Sequence, residues 1–175
     1  MIFRVKQTGP GKARGLISNF DRGFSAPCAL GKNGIVTAHN AFEGDGATPI
    51  GTWPIRQVWY RPDRGPRPVT SLPVRIITPT DGWCDASDDP AYNQHVTLPY
   101  PRSAERLYRR DTLYDIVVEL GFNDAPVIPN KGSAIFMHQA RPGMTPTLGC
   151  VALRPNDLRA LLRLARPGSA IQVMG

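Results

Sequence analysis

The chain has 175 residues, 41% hydrophobic and 20% charged, enough for one domain with a sizeable core and unlike a disordered chain. Its net charge is +7, with arginine far outnumbering lysine, and its 17 Gly and 18 Pro are scattered as turn punctuation rather than run together. No apolar run approaches the ~20 residues of a membrane-spanning helix, and the start lacks the apolar core of a secretory signal.

The residues read as strand-dominated. Residues 2–5, 16–20, 26–30 and 35–38 are short apolar runs split by Gly, Pro or Asn, as early hairpins require. Residues 40–51 are glycine-rich but lack the spacing and the Lys-Ser/Thr of a phosphate cradle, so they are expected to form a loop between strands. Residues 53–60 form a longer strand, with Trp53, Ile55, Gln57 and Trp59 on one face. Residues 74–77 and 96–98 are short strands. Between them, residues 81–90 are acidic and turn-like, without the register of a calcium loop. Ser103 is placed to cap a short helix running to Arg110. Residues 114–121 are the strongest strand by β-branched content, and 134–138 form an apolar run that ends on His138.

Pro155 opens a second helix at its first position, with Asp157 in the first turn, where the helix dipole favours an acid. Leu158, Leu161, Leu162 and Ala165 then fall on one stripe. Pro167-Gly168 stops the helix, and residues 169–174 return as a last strand. No linker or internal repeat divides residues 1–175, so a single domain is expected.

The three cysteines, Cys28, Cys84 and Cys150, form no Cys-x-x-Cys pair, which argues against a structural zinc site. Their odd number leaves at least one free thiol in a monomer, with a Cys28–Cys84 disulfide open in an oxidising compartment. Cys150 is the cysteine set up for chemistry. Gly149 precedes it and leaves room for a substrate backbone, and a proline-capped helix begins just after it. A dipole aimed at the sulfur would lower the thiol pKa, and the N–H groups around Leu148–Cys150 could form an oxyanion hole. A thiol needs a base, and histidine is the usual one. His138, at a strand end, is favoured over His95 and His39. No Gly-x-Ser-x-Gly elbow is present, so no serine triad is readable.

The basic charge fits either a solvated surface or attraction to an anionic polymer. Basic-aromatic interleaving and nucleic-acid-binding motifs are missing, so no nucleic-acid partner is expected. Carboxylate- and phosphate-bearing wall polymers remain as partners.

His138, followed by Thr147-x-Gly149-Cys150-Val151-x-Leu153 and Asp157, resembles the signature of the L,D-transpeptidase catalytic domain family (YkuD-type). The upstream Thr48-Pro49-Ile-Gly51 resembles that family's Thr-Pro-x-Gly segment, and the two bracket about residues 44 to 157. The resemblance implies a mainly β fold, two packed mixed β-sheets with one or two short flanking helices. It implies a cell-envelope enzyme in the periplasm that acts on peptidoglycan stem peptides, with no metal, no cofactor and no membrane span, expected to be a monomer.

The implied reaction makes a Cys150 thioester, with His138 as base, and passes the acyl group to an amine of another stem, giving a 3-3 or an unusual 1-3 cross-link. In the family a backbone carbonyl commonly holds the histidine's second nitrogen. Alternatives are an L,D-carboxypeptidase and a non-catalytic wall-binding module. Two departures stand out: the His-to-Cys spacer is short, and Ala152 occupies a position commonly Arg or Asn. Arg154 or Arg141 is expected to supply the missing group. Thr147, Trp83, Tyr92 and Asn123 complete the candidate substrate-binding residues.

Overall fold

The computed structural model describes residues 1–9 and 13–175. Among the described residues thirteen strands are formed: β1 (Ile2–Gln7), β2 (Arg14–Asn19), β3 (Phe24–Ala29), β4 (Ile35–Thr37), β5 (Thr48–Tyr60), β6 (Val74–Ile76), β7 (Asp81–Cys84), β8 (His95–Thr97), β9 (Ala104–Arg106), β10 (Ile116–Leu120), β11 (Phe136–Gln139), β12 (Val151–Leu153) and β13 (Ala170–Met174). One α-helix, α1 (Pro155–Leu164), lies between the last two.

Ten strands make a large mixed sheet in which β10-β11-β12-β3-β2-β1-β13-β5 are successive neighbours. β5 is long enough to serve four partners, β4 and β13 along its first part and β6 and β10 along its second. Its first part pairs with β13 through Gly51–Pro54, and its second part pairs with β10 from Ile55 to Tyr60, so the sheet path returns on itself. The position of Gly51, at the start of the β13 pairing, requires glycine. Its φ of +152° disfavours an L side chain, and a Cβ there would lie 2.3 Å from the Trp53 indole, which packs across it. A small antiparallel sheet, β8-β7-β9, packs on one face of the large one.

The two faces of β11 define two cores. Met137, with Val151 and Leu153, enters the main core, together with Phe3, Val5, Ile17 and the helix residues Leu158, Leu161, Leu162 and Ala165. Fully burying each of these leucines contributes roughly 1.5–3 kcal/mol. Phe136 points the other way, into a cluster with Trp59, Trp83, Leu107, Tyr114, Val117 and Cys150, between the large sheet and the small one.

The proline-opened helix forms with Asp157 in its first turn, as the sequence indicates, and the long apolar strands are present with shifts at their ends. The helix expected from Ser103 to Arg110 does not form. Ala104, Glu105 and Arg106 pair with Cys84, Trp83 and Gly82, and Leu107 is buried just beyond them. Pairing and burial outweigh the good helix propensity of this segment. The acidic residues 81–90, read as a turn, begin with the central strand of the small sheet, because residues 81–84 pair with β8 and β9 while Thr78 and His95 bind the Asp81 carboxylate. Residues 48–51, read as loop, already belong to β5.

Candidate active site

β11 and β12 run parallel, with Met137 opposite Val151 and His138 opposite Ala152. This register puts Phe136, His138 and Cys150 on the face away from the main core. The segment between the two strands is tied down before the cysteine. Thr147 forms a parallel bridge with Gly31, through Thr147 N–H to Leu30 O at 2.9 Å and Lys32 N–H to Thr147 O at 2.8 Å. Its hydroxyl donates to Cys150 O at 2.7 Å and accepts from Gly149 N–H at 3.1 Å. Of the amides expected to form an oxyanion hole, that of Gly149 is therefore engaged by Thr147. Gly149 has φ +139°, and a Cβ there would lie 2.9 Å from Ile135 Cδ1 and 3.0 Å from Ala47 O, so both backbone and space call for glycine.

The Cys150 thiol donates to Ala134 O at 3.2 Å and accepts the Phe136 N–H at 3.4 Å. Ala134 sits at φ +52°, a left-handed conformation that costs about 1–3 kcal/mol. Asn93 holds it there: its Oδ1 accepts from Ala134 N–H and from Trp83 Nε1, each at 3.0 Å. The Asn93 amide nitrogen donates to Phe122 O at 3.0 Å and Asn123 O at 2.8 Å.

His138 is 4% exposed, and its Nδ1 lies 2.8 Å from Gln139 O. A carbonyl only accepts, so Nδ1 carries the proton and Nε2 is left basic. Burial pushes the imidazole down to about 4, and the charges of Arg109 and Arg141 push the same way, against the Gln139 bond and Asp111. Burial pushes the Cys150 thiol up to about 12, with Glu105 adding to the rise and the Phe136 N–H opposing it. The expected lowering of the thiol pKa by the helix is not what the structure shows. At neutral pH the resting pair is a neutral thiol and a neutral imidazole.

A polar shell surrounds the pair that the sequence reading did not single out. The Tyr114 ring lies 5.3 Å from the His138 ring, and its hydroxyl donates to Glu105 Oε1 at 2.8 Å. The Arg109 guanidinium sits 5.1 Å over Tyr114 and is held by Asp111 through two bonds of 2.8 Å. Tyr114 was visible as the start of the strongest strand. Nothing in the spacing ties it to Glu105, because that contact depends on the small sheet.

The other candidates fall in different places. Arg141 pairs with Asp111 at 3.6 Å and so stands on the His138 side. Arg154 precedes α1, exposed and making no side-chain cap. Trp83 and Tyr92 are buried, Trp83 edge-on to Phe136 at 5.0 Å and Tyr92 donating to Glu43 Oε2 at 2.5 Å. Asn123 organises its own turn, with bonds to Ile128 and Gly132. Of the rival histidines, His95 binds Asp81 at 2.6 Å and stacks on Trp59, and His39 is exposed. All three cysteines are free thiols, so Cys28 and Cys84 are not paired. Among the described residues no group of His, Cys, Asp and Glu is arranged to hold a metal, and no helix is long and apolar enough to cross a membrane.

Searches of curated proteins and of solved structures found no match. The family model for the L,D-transpeptidase catalytic domain (YkuD) matches residues 15–173, from β2 to β13, and so includes every element of the site. The chain belongs to the L,D-transpeptidase catalytic domain family, whose members act on peptidoglycan.

Proposed function

We propose that the protein is a cysteine L,D-transpeptidase of the cell envelope, working outside the cytoplasm, with Cys150 as nucleophile and His138 as general base. The observation that carries this reading is the fixed tautomer of His138. Its Nδ1 is committed to Gln139 O at 2.8 Å, leaving Nε2 as an acceptor on the same face of the β11–β12 pair as the thiol.

The chemistry follows from the neutral resting pair. The thiol gives up its bond to Ala134 O and passes its proton to His138 Nε2 as sulfur attacks the carbonyl of the L-centre of the stem's diamino acid. The C–N bond to the following residue breaks, the imidazolium protonates the departing amine, and a thioester remains. An amine of a second stem attacks the thioester, loses its proton to His138, and the thiol re-forms. These steps give a 3-3 cross-link; a 1-3 cross-link takes the same steps at the carbonyl of the stem's first residue, with the rest of the peptide as the departing amine. Proton transfer concerted with attack suits a thiol near 12, because no stored thiolate is needed. Gly149 lets the backbone pass close to Ile135 and Ala47 just before the cysteine, and Thr147 fixes the cysteine backbone.

Incubation with disaccharide-tetrapeptide, followed by mass spectrometry, tests the reaction type. Dimers lacking one terminal residue are expected. Trimmed monomers alone would make the protein an L,D-carboxypeptidase, and binding without product would leave a wall-binding module.

A further inference from the structure

Beside the candidate site lies a cavity of about 550 Å³, lined by Arg61, Arg64, Arg106, Tyr108, Arg109 and Arg110. Its size falls in the range of about 300–1,000 Å³ usual for small-ligand sites. Five of its six lining residues are arginines.

The arginines are not equivalent. Arg61 is 3% exposed, stacks 3.4 Å over the Tyr108 ring, and is saturated by Asp63 at 2.8 and 2.6 Å and by Arg109 O at 2.8 Å. Arg109 is held by Asp111. These two form a braced floor. Arg64 makes one hydrogen bond of 3.0 Å to Arg110 O and a loose ion pair with Asp63, its Nε 4.0 Å from Oδ2, and Arg106 makes one long bond of 3.3 Å to Pro79 O. Among the described residues the Arg110 guanidinium has no bonded partner. The three outer guanidiniums therefore keep donors for an incoming ligand, and a guanidinium fork matches a carboxylate. The inner forks show the preference of this arrangement, since each is already filled by a carboxylate.

The cavity also joins the site. Arg109, in its wall, lies over Tyr114, and Tyr114 packs against His138. We propose that this arginine cavity binds carboxylates of an acidic peptide whose scissile bond lies at Cys150, with Arg64, Arg106 and Arg110 making the ligand contacts. The inference rests on the transpeptidase reading for the link to Cys150, and it adds the binding determinant that Ala152 does not provide.

Binding is measured by calorimetry on the full chain carrying Cys150→Ala, so that no turnover interferes. The probes are a stem tetrapeptide with free carboxylates and the same peptide with every carboxylate amidated. The free acid is expected to bind at least about tenfold more tightly at low salt, with the gap narrowing as salt screens the charges. Arg106→Gln combined with Arg110→Gln should remove most of that gap. Arg22→Gln, in the turn between β2 and β3 and outside the cavity, should leave it intact.

Equal affinity for the two peptides would overturn the proposal, as would a gap that survives the double substitution. Inorganic pyrophosphate binding more tightly than the free-acid peptide would overturn the choice of carboxylate. The enzymatic reading is scored separately, by acyl-enzyme formation on the wild-type chain. An acyl-enzyme without charge discrimination sinks the cavity proposal alone, and discrimination without an acyl-enzyme sinks the enzymatic reading alone.

Discussion

The Phe136 N–H points at Cys150 Sγ across 3.4 Å, so the strand that carries His138 also holds the thiol. One element thereby sets both proposed reacting groups, and the parallel register of β11 and β12 fixes their relative position. Replacing His138 by Gln keeps a polar side chain but removes the base. The rate of Cys150 acylation by a stem tetrapeptide, followed by intact mass, should fall about 10²–10⁴-fold. An unchanged rate would move the base elsewhere.

His138 also ties stability to pH. Its imidazole titrates near 4 when folded and near 6.5 when unfolded. Between those values the unfolded chain binds the extra proton, so stability is full above about pH 6.5 and is lost as pH falls towards 4. The loss is about 3 kcal/mol at most. Urea titrations from pH 4 to 7 should show it, and His138→Gln should flatten the dependence.

Glu105 raises the Cys150 pKa through its charge. Glu105→Gln removes that charge and keeps an acceptor for Tyr114, so the thiolate fraction at a fixed alkaline pH should rise. Iodoacetamide labelling of Cys150, mapped by peptide mass at pH 9, is expected to be faster than in the wild type. Slower labelling would mean that Glu105 does not act on the sulfur.

Gly149→Ala asks a β-carbon to occupy a φ of +139° and to sit 2.9 Å from Ile135. The strain alone is worth about 1–3 kcal/mol. Thermal melts should show a lower midpoint, and the acylation rate should drop as the Cys150 backbone shifts.

Asn93 binds Trp83, Ala134, Phe122 and Asn123 at once. Asn93→Ala leaves those buried groups unpaired, at a cost of about 1–3 kcal/mol each where no water replaces it. Denaturant unfolding should register a loss of several kcal/mol. A loss below about 0.5 kcal/mol would show that the Ala134 backbone is held by contacts other than Asn93.

Much of this architecture is legible in local sequence, because local rules govern it. Pro155 with its leucine stripe specifies α1, and β-branched residues specify β10. The strand ending at His138 and the Thr147–Cys150 motif name two reactive residues without revealing their register. What local rules miss is pairing. Ala104–Arg106 has helix-forming residues but becomes a strand, since β7 offers an edge and Leu107 a place in the second core. With that strand come Glu105 and, just beyond it, Arg109, brought to Tyr114 by contacts between residues distant in sequence. The thiol's raised pKa escapes a sequence reading for the same reason. A helix start near Cys150 suggests a lowered value, and only the packing of Phe136, Trp83 and Tyr114 shows that burial wins.

The proposed reaction passes through a covalent acyl-enzyme on Cys150. Intact-mass spectrometry of the protein mixed with a stem tetrapeptide and quenched in acid, with peptide mapping of the adduct, tests it most directly. The expected result is a mass increase equal to the acyl part of the stem without its terminal residue, mapped to Cys150 and absent in Cys150→Ala. Release of the terminal residue by Cys150→Ala at the wild-type rate would contradict it.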